Sequence, residues 1–310
     1  MPLHPQAQAH LDRLAATRFS DMHTLAPDAI RQGMRRMLAA LPPGAPVASV
    51  ADRRIDSAVG PLDVRIYHPS PRQVLPVIVF FHGGGFVLGD LDTHDGLARS
   101  LAVATQAVVV SVAYPLAPEH RFPAGVDAAF AATAWVAEHA AQLGADGHRL
   151  AVAGDSAGGN LAAVVALKAR DAAGPRIAHQ LLIYPDVDFR RINTSIQAYA
   201  GQYGNIGREM QHWFMDHYLG DAALKTHALV SPLLAGDLRG LPPAHIVTAE
   251  FDALRDEGEA YGERLREAGV PVSVKRYDGM IHEFMRWPFD ATREALADAT
   301  RALRPTLFAA

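Results

Sequence analysis

Residues 149 to 160 read Arg149-Leu150-Ala151-Val152-Ala153-Gly154-Asp155-Ser156-Ala157-Gly158-Gly159-Asn160. The apolar run Leu150 to Ala153 halts at a glycine, and an alanine-rich stretch of helical composition, Leu161 to Arg170, follows at once. This is strand, tight turn, helix. A Gly-x-Ser-x-Gly in that setting holds its serine on a strained turn at the carboxyl end of a strand. Glycine two residues to either side lets backbone and helix pass at close range. The hydroxyl then stands clear of the sheet at the amino end of a helix, which makes Ser156 a candidate nucleophile. The same five residues also occur in plain strand-to-helix turns; the flanking elements carry the reading.

Outward from this turn the chain alternates short continuous apolar runs with helical stretches. The runs are Val77 to Phe81, Val108 to Val112, Leu181 to Tyr184, Ala244 to Ala249 and Val272 to Tyr277. Helices are expected over 123–143, 257–267 and 291–303, the second closed by Gly269. Continuous apolar strands alternating with helices predict a mostly parallel sheet covered on both faces. Ahead of it, Ala51 to Ala58 and Leu62 to Tyr67, split by Gly60-Pro61, predict a hairpin. Two amphipathic helices are expected before residue 42, with Leu11, Leu14, Ala15, Ile30, Met34, Met37 and Leu38 at helical spacing and Pro42-Pro43-Gly44 as the stop. Between 186 and 225 the alternation fails: Gly201, Gly204 and Gly207 mix with Tyr199, Tyr203, Trp213, Phe214 and Tyr218. That segment reads as a cap over a pocket, although an aromatic stripe also serves as plain core. The expected division is 1–45 for amino-terminal helices that join the cap, 46–185 and 226–310 for the core, and 186–225 for the cap insertion.

Composition narrows the function. The chain has 310 residues, 49% hydrophobic and 20% charged, with a net charge of −4. No basic run invites nucleic acid or an anionic membrane. Cysteine is absent, so disulfides, thiolate metal sites and a cysteine nucleophile are excluded. Met1 to Gln6 lacks an export pattern and no apolar stretch reaches about 18 residues, so a cytoplasmic protein is expected.

A serine nucleophile needs a base, an acid to orient the base, and donors for an oxyanion. His82-Gly83-Gly84-Gly85-Phe86 follows the Val77 to Phe81 run, and three successive glycines leave backbone N–H groups bare. With the N–H of Ala157 they suit an oxyanion hole. A flexible turn or a phosphate cradle is the alternative, but the Lys-Ser/Thr ending of a P-loop and the Gly-x-Gly-x-x-Gly spacing are both missing. Of fifteen histidines, those after Ser156 are His179, His212, His217, His227, His245 and His282. His179 and His245 fall in strands and the next three in the cap segment, which leaves His282, in Asp278-Gly279-Met280-Ile281-His282-Glu283-Phe284, as the base. Asp252, one strand before it, is the favoured acid in the order Ser, acid, His. Asp186, Asp188, Asp256 and Asp278 are its rivals.

Together these residues resemble the hormone-sensitive-lipase-like (bacterial family IV) carboxylesterases of the α/β-hydrolase superfamily. The most specific pieces are His82 to Phe86, Gly89-Asp90-Leu91-Asp92-Thr93-His94-Asp95, Leu116-Ala117-Pro118-Glu119-His120, Gly154 to Asn160 and Leu254-Arg255-Asp256. The resemblance implies an eight-stranded, mostly parallel sheet with a helical cap. It implies Ser156, His282 and Asp252 as catalytic triad, with the N–H groups of Gly84, Gly85 and Ala157 as oxyanion hole and His82 as a structural residue. Asp90, Asp92 and Asp95 lack calcium-loop spacing and read as capping and loop residues. A serine carboxylesterase acting on short- to medium-chain esters, with no metal or organic cofactor, is the expected function. A small ester is the expected partner, and a homodimer follows from analogy. A non-catalytic receptor on the same fold and an amide hydrolase are the alternatives. Two departures stand out. Glu283 occupies the place of a family glycine after the histidine, where it could raise the histidine pKa or narrow the acyl pocket. Pro115 replaces a family arginine, at the loss of a positive charge and a backbone donor.

Overall fold

A computed structural model of the chain describes residues 2–15, 19–39, 44–203 and 207–308. Pro42, Pro43 and Gly204, and the side chain of Leu38, lie outside the described set. Two helices come first, α1 (Pro5–Ala15) and α2 (Pro27–Ala39). The hairpin follows as β1 (Ser49–Ser57) and β2 (Gly60–His68). Then come β3 (Leu75–Phe81), α3 (Asp95–Thr105), β4 (Val108–Val112), α4 (Ala124–His139), β5 (Ala145–Asp155) and α5 (Ala157–Asp171). The chain continues through β6 (His179–Ile183), α6 (Thr194–Tyr199), α7 (Arg208–Leu219), β7 (Ala244–Phe251), α8 (Arg255–Glu267), β8 (Val272–Ile281) and α9 (Asp290–Leu307).

The described strands form one eight-stranded sheet in the order β1-β2-β4-β3-β5-β6-β7-β8. β2 is antiparallel to both β1 and β4, and every other pairing is parallel. The apolar runs are continuous because both faces are buried. Val77, Val79 and Phe81 of β3 pack into the layer that holds Val126, Ala129 and Val136 of α4 and Leu161 and Val165 of α5. Ile78 and Phe80 alternate to the other face, with Leu97 and Leu101 of α3 and Ala299 and Leu303 of α9. Alternate residues of one strand thus serve two cores, and none of the strand's seven residues faces water.

Three elements differ from expectation. α3 is a helix that no expectation covers: the capping and loop reading stops at Asp95, its first residue, and Leu97, Ala98, Leu101 and Ala102 carry its buried stripe. β5 begins at Ala145 rather than near Leu150 because Ala145 and Asp146 pair with Leu75 and Pro76, and the register shifts over 147–149 before Leu150 pairs with Val77. β8 runs on to Ile281 as an exposed edge strand, so His282 is the first residue past its end rather than part of a longer loop. No described helix is long and apolar enough to cross a membrane.

Candidate active site

At the centre of the sheet β5 ends in Asp155, and α5 starts at Ala157. Ser156, squeezed between them, takes φ 56° and ψ −119°, a conformation that costs a non-glycine residue on the order of 1–3 kcal/mol. Backbone bonds hold it there. Its N–H donates to Ile183 O at 2.9 Å, and its carbonyl accepts from the N–H groups of Asn160 (3.1 Å) and Asp186 (3.2 Å). Space explains the glycines. A Cβ on Gly158 would fall well inside the carbonyl of Phe81, and one on Gly154 inside the carbonyl of Gly158. Neither obstacle is a side chain that can swing away. Gly158→Ala is therefore expected to give no soluble folded protein, checked by expression yield and a thermal melt; a variant melting within a few degrees of the parent would contradict this packing.

His282 lies beside Ser156, with Nε2 3.0 Å from the Ser156 Oγ. Nδ1 of the same ring is 2.8 Å from Asp252 Oδ2. The second oxygen of Asp252 accepts the Leu254 N–H at 2.8 Å, which fixes the carboxylate's rotation. All three side chains are buried, Asp252 being 1% and His282 7% exposed. Burial pulls the His282 pKa down, but the charge and hydrogen bond of Asp252, then the charges of Glu283 and Asp155, outweigh it and raise the pKa above the ordinary 6.5. Tyr184, just past the end of β6, packs its ring against the imidazole with centroids 4.7 Å apart and planes tilted by 57°.

The rival residues are engaged elsewhere. Asp186 makes a bidentate pair with Arg191 at 2.8 and 2.7 Å, and Asp188 pairs with Arg190. Asp256 accepts the Ser195 N–H and binds Arg255, while Asp278 is exposed on β8. His179 and His245 sit in β6 and β7, and burial takes both imidazoles down to about 4. His212 and His217 belong to α7 and His227 follows it.

The family model for the alpha/beta hydrolase fold matches residues 78–286. Esterase LipI of Mycobacterium tuberculosis is 45% identical over 284 residues, covering 89% of this chain and 88% of that protein. An arylesterase of Saccharolobus solfataricus is 36% identical over 289 residues, covering 93% and 94%. Among solved structures, the hyperthermophilic esterase of Pyrobaculum calidifontis superposes with a TM-score of 0.94 at 39% identity, covering 100% of both chains. The chain belongs to the α/β-hydrolase family, in its hormone-sensitive-lipase-like branch.

In this α/β-hydrolase the glycine loop after β3 is held from below. Gly84, Gly85 and Phe86 have φ of 117°, 60° and 64°, and the Gly84 carbonyl accepts from Val87 (3.1 Å) and Leu88 (2.8 Å). The Gly83 N–H donates to Asp155 Oδ1 at 2.9 Å. By contrast, the N–H groups of Gly84, Gly85 and Ala157 donate to no described group. His82 is buried and stacked 4.4 Å from Tyr114, whose hydroxyl donates to the His82 carbonyl at 2.7 Å. Burial, reinforced by neighbouring His94, lowers its pKa to about 4.

Asp155 escaped the sequence reading as a functional residue. So did Thr93 and His94, the pair at the start of α3. Their position inside two glycine-bearing motifs was the available signal, and it read as turn chemistry. Of the aspartates near them, Asp90 pairs with Arg35 and accepts the Thr93 N–H, Asp92 pairs with Arg65, and Asp95 with Arg99. Each carboxylate thus has an arginine.

Proposed function

We propose that Ser156, His282 and Asp252 form the acyl-transfer centre of a serine carboxylesterase. The observation that carries this reading is the unbroken file Ser156 Oγ, His282 Nε2, His282 Nδ1, Asp252 Oδ2, with steps of 3.0 and 2.8 Å. The enzyme is a carboxylic ester hydrolase. The Ser156 oxygen attacks the ester carbonyl as its proton passes to Nε2. Negative charge that develops on the carbonyl oxygen is met by the free N–H groups of Gly84, Gly85 and Ala157, each worth about 100- to 1,000-fold in rate. The imidazolium, stabilised by Asp252, returns its proton to the leaving alcohol. Water attacks the acyl-enzyme by the same route and regenerates Ser156.

Segment 186–225, with the amino-terminal helices of 1–45, is proposed as the cap over this centre. Two contacts support it. Tyr218 of α7 stacks on Phe86 with centroids 3.9 Å apart and planes 6° apart, and Phe214 lies so close to Gly85 that a Cβ there would strike its ring. Arg31 of α2 also donates to the Val87 and Ala117 carbonyls, at 2.8 and 2.7 Å. Short- to medium-chain esters are the proposed substrates, in a cytoplasmic homodimer; light scattering and cell fractionation test the last two points.

A series of aryl esters of rising acyl length, with one matched aryl amide, tests the whole reading. Turnover is expected to peak among the short and medium esters, with the amide far slower. A fluorophosphonate is expected to label Ser156 in proportion to lost activity. A non-catalytic receptor would bind the esters, turn none over and remain unlabelled.

A further inference from the structure

The residue after His282 carries a carboxylate that the acyl-transfer steps leave unused. Glu283 adopts φ 62° and ψ 11°, a left-handed conformation that favours glycine, yet here it bears a long acidic side chain only 21% exposed. Its Oε1 accepts from Arg286 Nη1 at 2.8 Å, and the Arg286 side chain is 7% exposed. From Arg286 a buried polar chain runs behind the nucleophile. Arg286 Nη2 donates to the Thr93 carbonyl at 3.3 Å, and Thr93 Oγ1 lies 3.0 Å from His94 Nδ1. His94 Nε2 faces Asp155 Oδ2 at 3.4 Å without a formed hydrogen bond. Asp155 then holds the Gly83 N–H. The loop that bears His282 and the loop that bears the bare glycine amides are therefore two ends of one connected set of side chains.

We propose that Glu283 is a positioning residue of this centre: paired with Arg286, it latches the His282 turn onto the Thr93–Asp155 segment and keeps a second negative charge beside the imidazole. The proposal rests on the acyl-transfer reading of Ser156. The groups that face the pair come from several elements. Asp252 reaches His282 from the turn after β7, Asp155 from the end of β5, and the Tyr184 ring from the end of β6. His94 acts on Glu283 from the start of α3 and His10 from α1, where Arg13 acts in turn on His10. Among them Glu283 and Asp155 add to Asp252 in favouring the protonated ring, while burial opposes it. Arg286 holds Glu283 ionised despite its burial. Removing the Glu283 charge therefore makes His282 a weaker base, and neutral imidazole, the form that accepts the Ser156 proton, persists to lower pH.

The test is the rate of Ser156 labelling by a fluorophosphonate across pH, with a thermal melt of each protein. In Glu283→Gln and Glu283→Gly the acidic fall-off is expected about one pH unit below the parent's, and Glu283→Asp, which keeps the charge, is expected to hold it near the parent's position. Glycine suits the left-handed backbone, so that variant carries the test where the glutamine variant does not fold. A merely structural Glu283 would lower the melting temperature and leave the fall-off in place in both variants, which overturns the proposal. A parent protein that resists labelling at every pH overturns the acyl-transfer reading itself, and the role of Glu283 with it.

Discussion

Ser156→Ala is expected to lower turnover of a short-chain aryl ester by something on the order of a millionfold while the fold survives. The loss is large because the remaining residues act as a unit around a nucleophile that is then gone. A residual 1,000- to 10,000-fold advantage over water, about what donors and binding supply without a nucleophile, is expected to persist. The structure explains why the fold survives. Ser156 occupies the amino-terminal cap position of α5, yet its side chain makes no capping bond. Its contacts with Ile183, Asn160 and Asp186 are all through the backbone. The strained φ is imposed by the turn, so alanine bears the same strain as serine. What disappears is one hydroxyl and its 3.0 Å contact with His282. Steady-state kinetics on the purified variant, beside a melting curve, is the check, and retained turnover with an unchanged melt would remove Ser156 from the mechanism.

The turn that bears Ser156 was legible because backbone geometry demands particular residues there. Gly154 and Gly158 have carbonyls where a Cβ would go, so the spacing in sequence is the imprint of a steric fact. Asp252 and His282 were legible for a related reason: each stands just past the end of a strand in the carboxyl half of the sheet, and parallel strands bring such positions to one edge. The layer beneath them left no comparable trace. Thr93, His94, Asp155, Glu283 and Arg286 come from three separate parts of the chain, and no periodicity links them. Glu283 could be singled out only as a departure from the family's glycine, and its partner Arg286, three residues on, looks in sequence like any surface arginine. Edge strand β8 extends past the expected Tyr277 to Ile281 because Asp278 faces water and Gly279 follows it at φ 72°, a pair that in sequence looks like a turn and hides the buried Met280 and Ile281 beyond it.

Asp252→Asn is expected to cost about 10,000-fold in kcat, and the surroundings of Asp252 specify why an isosteric amide is so harmful. The Leu254 N–H donates to Oδ1, so in the variant the amide oxygen is retained on that side and the NH₂ group faces His282. The ring nitrogen Nδ1 must then accept rather than donate, which places the ring proton on Nε2, the atom that has to receive the proton of Ser156. The base is present and in place, but in the wrong tautomer. The acidic fall-off of whatever activity remains is also expected at lower pH, because Asp252 is the largest influence raising the His282 pKa. Asp186→Asn serves as the contrasting variant. Asp186 is bound to Arg191 by two short contacts, and Glu257, buried at 1% exposure, lies 3.6 Å from the same guanidinium. Loss of that buried pair is expected to cost about 3–5 kcal/mol of stability with kcat of the folded fraction close to the parent's. Denaturant melts and active-site titration of both variants separate the two effects. A kcat loss in Asp186→Asn larger than in Asp252→Asn would transfer the role of orienting acid to Asp186.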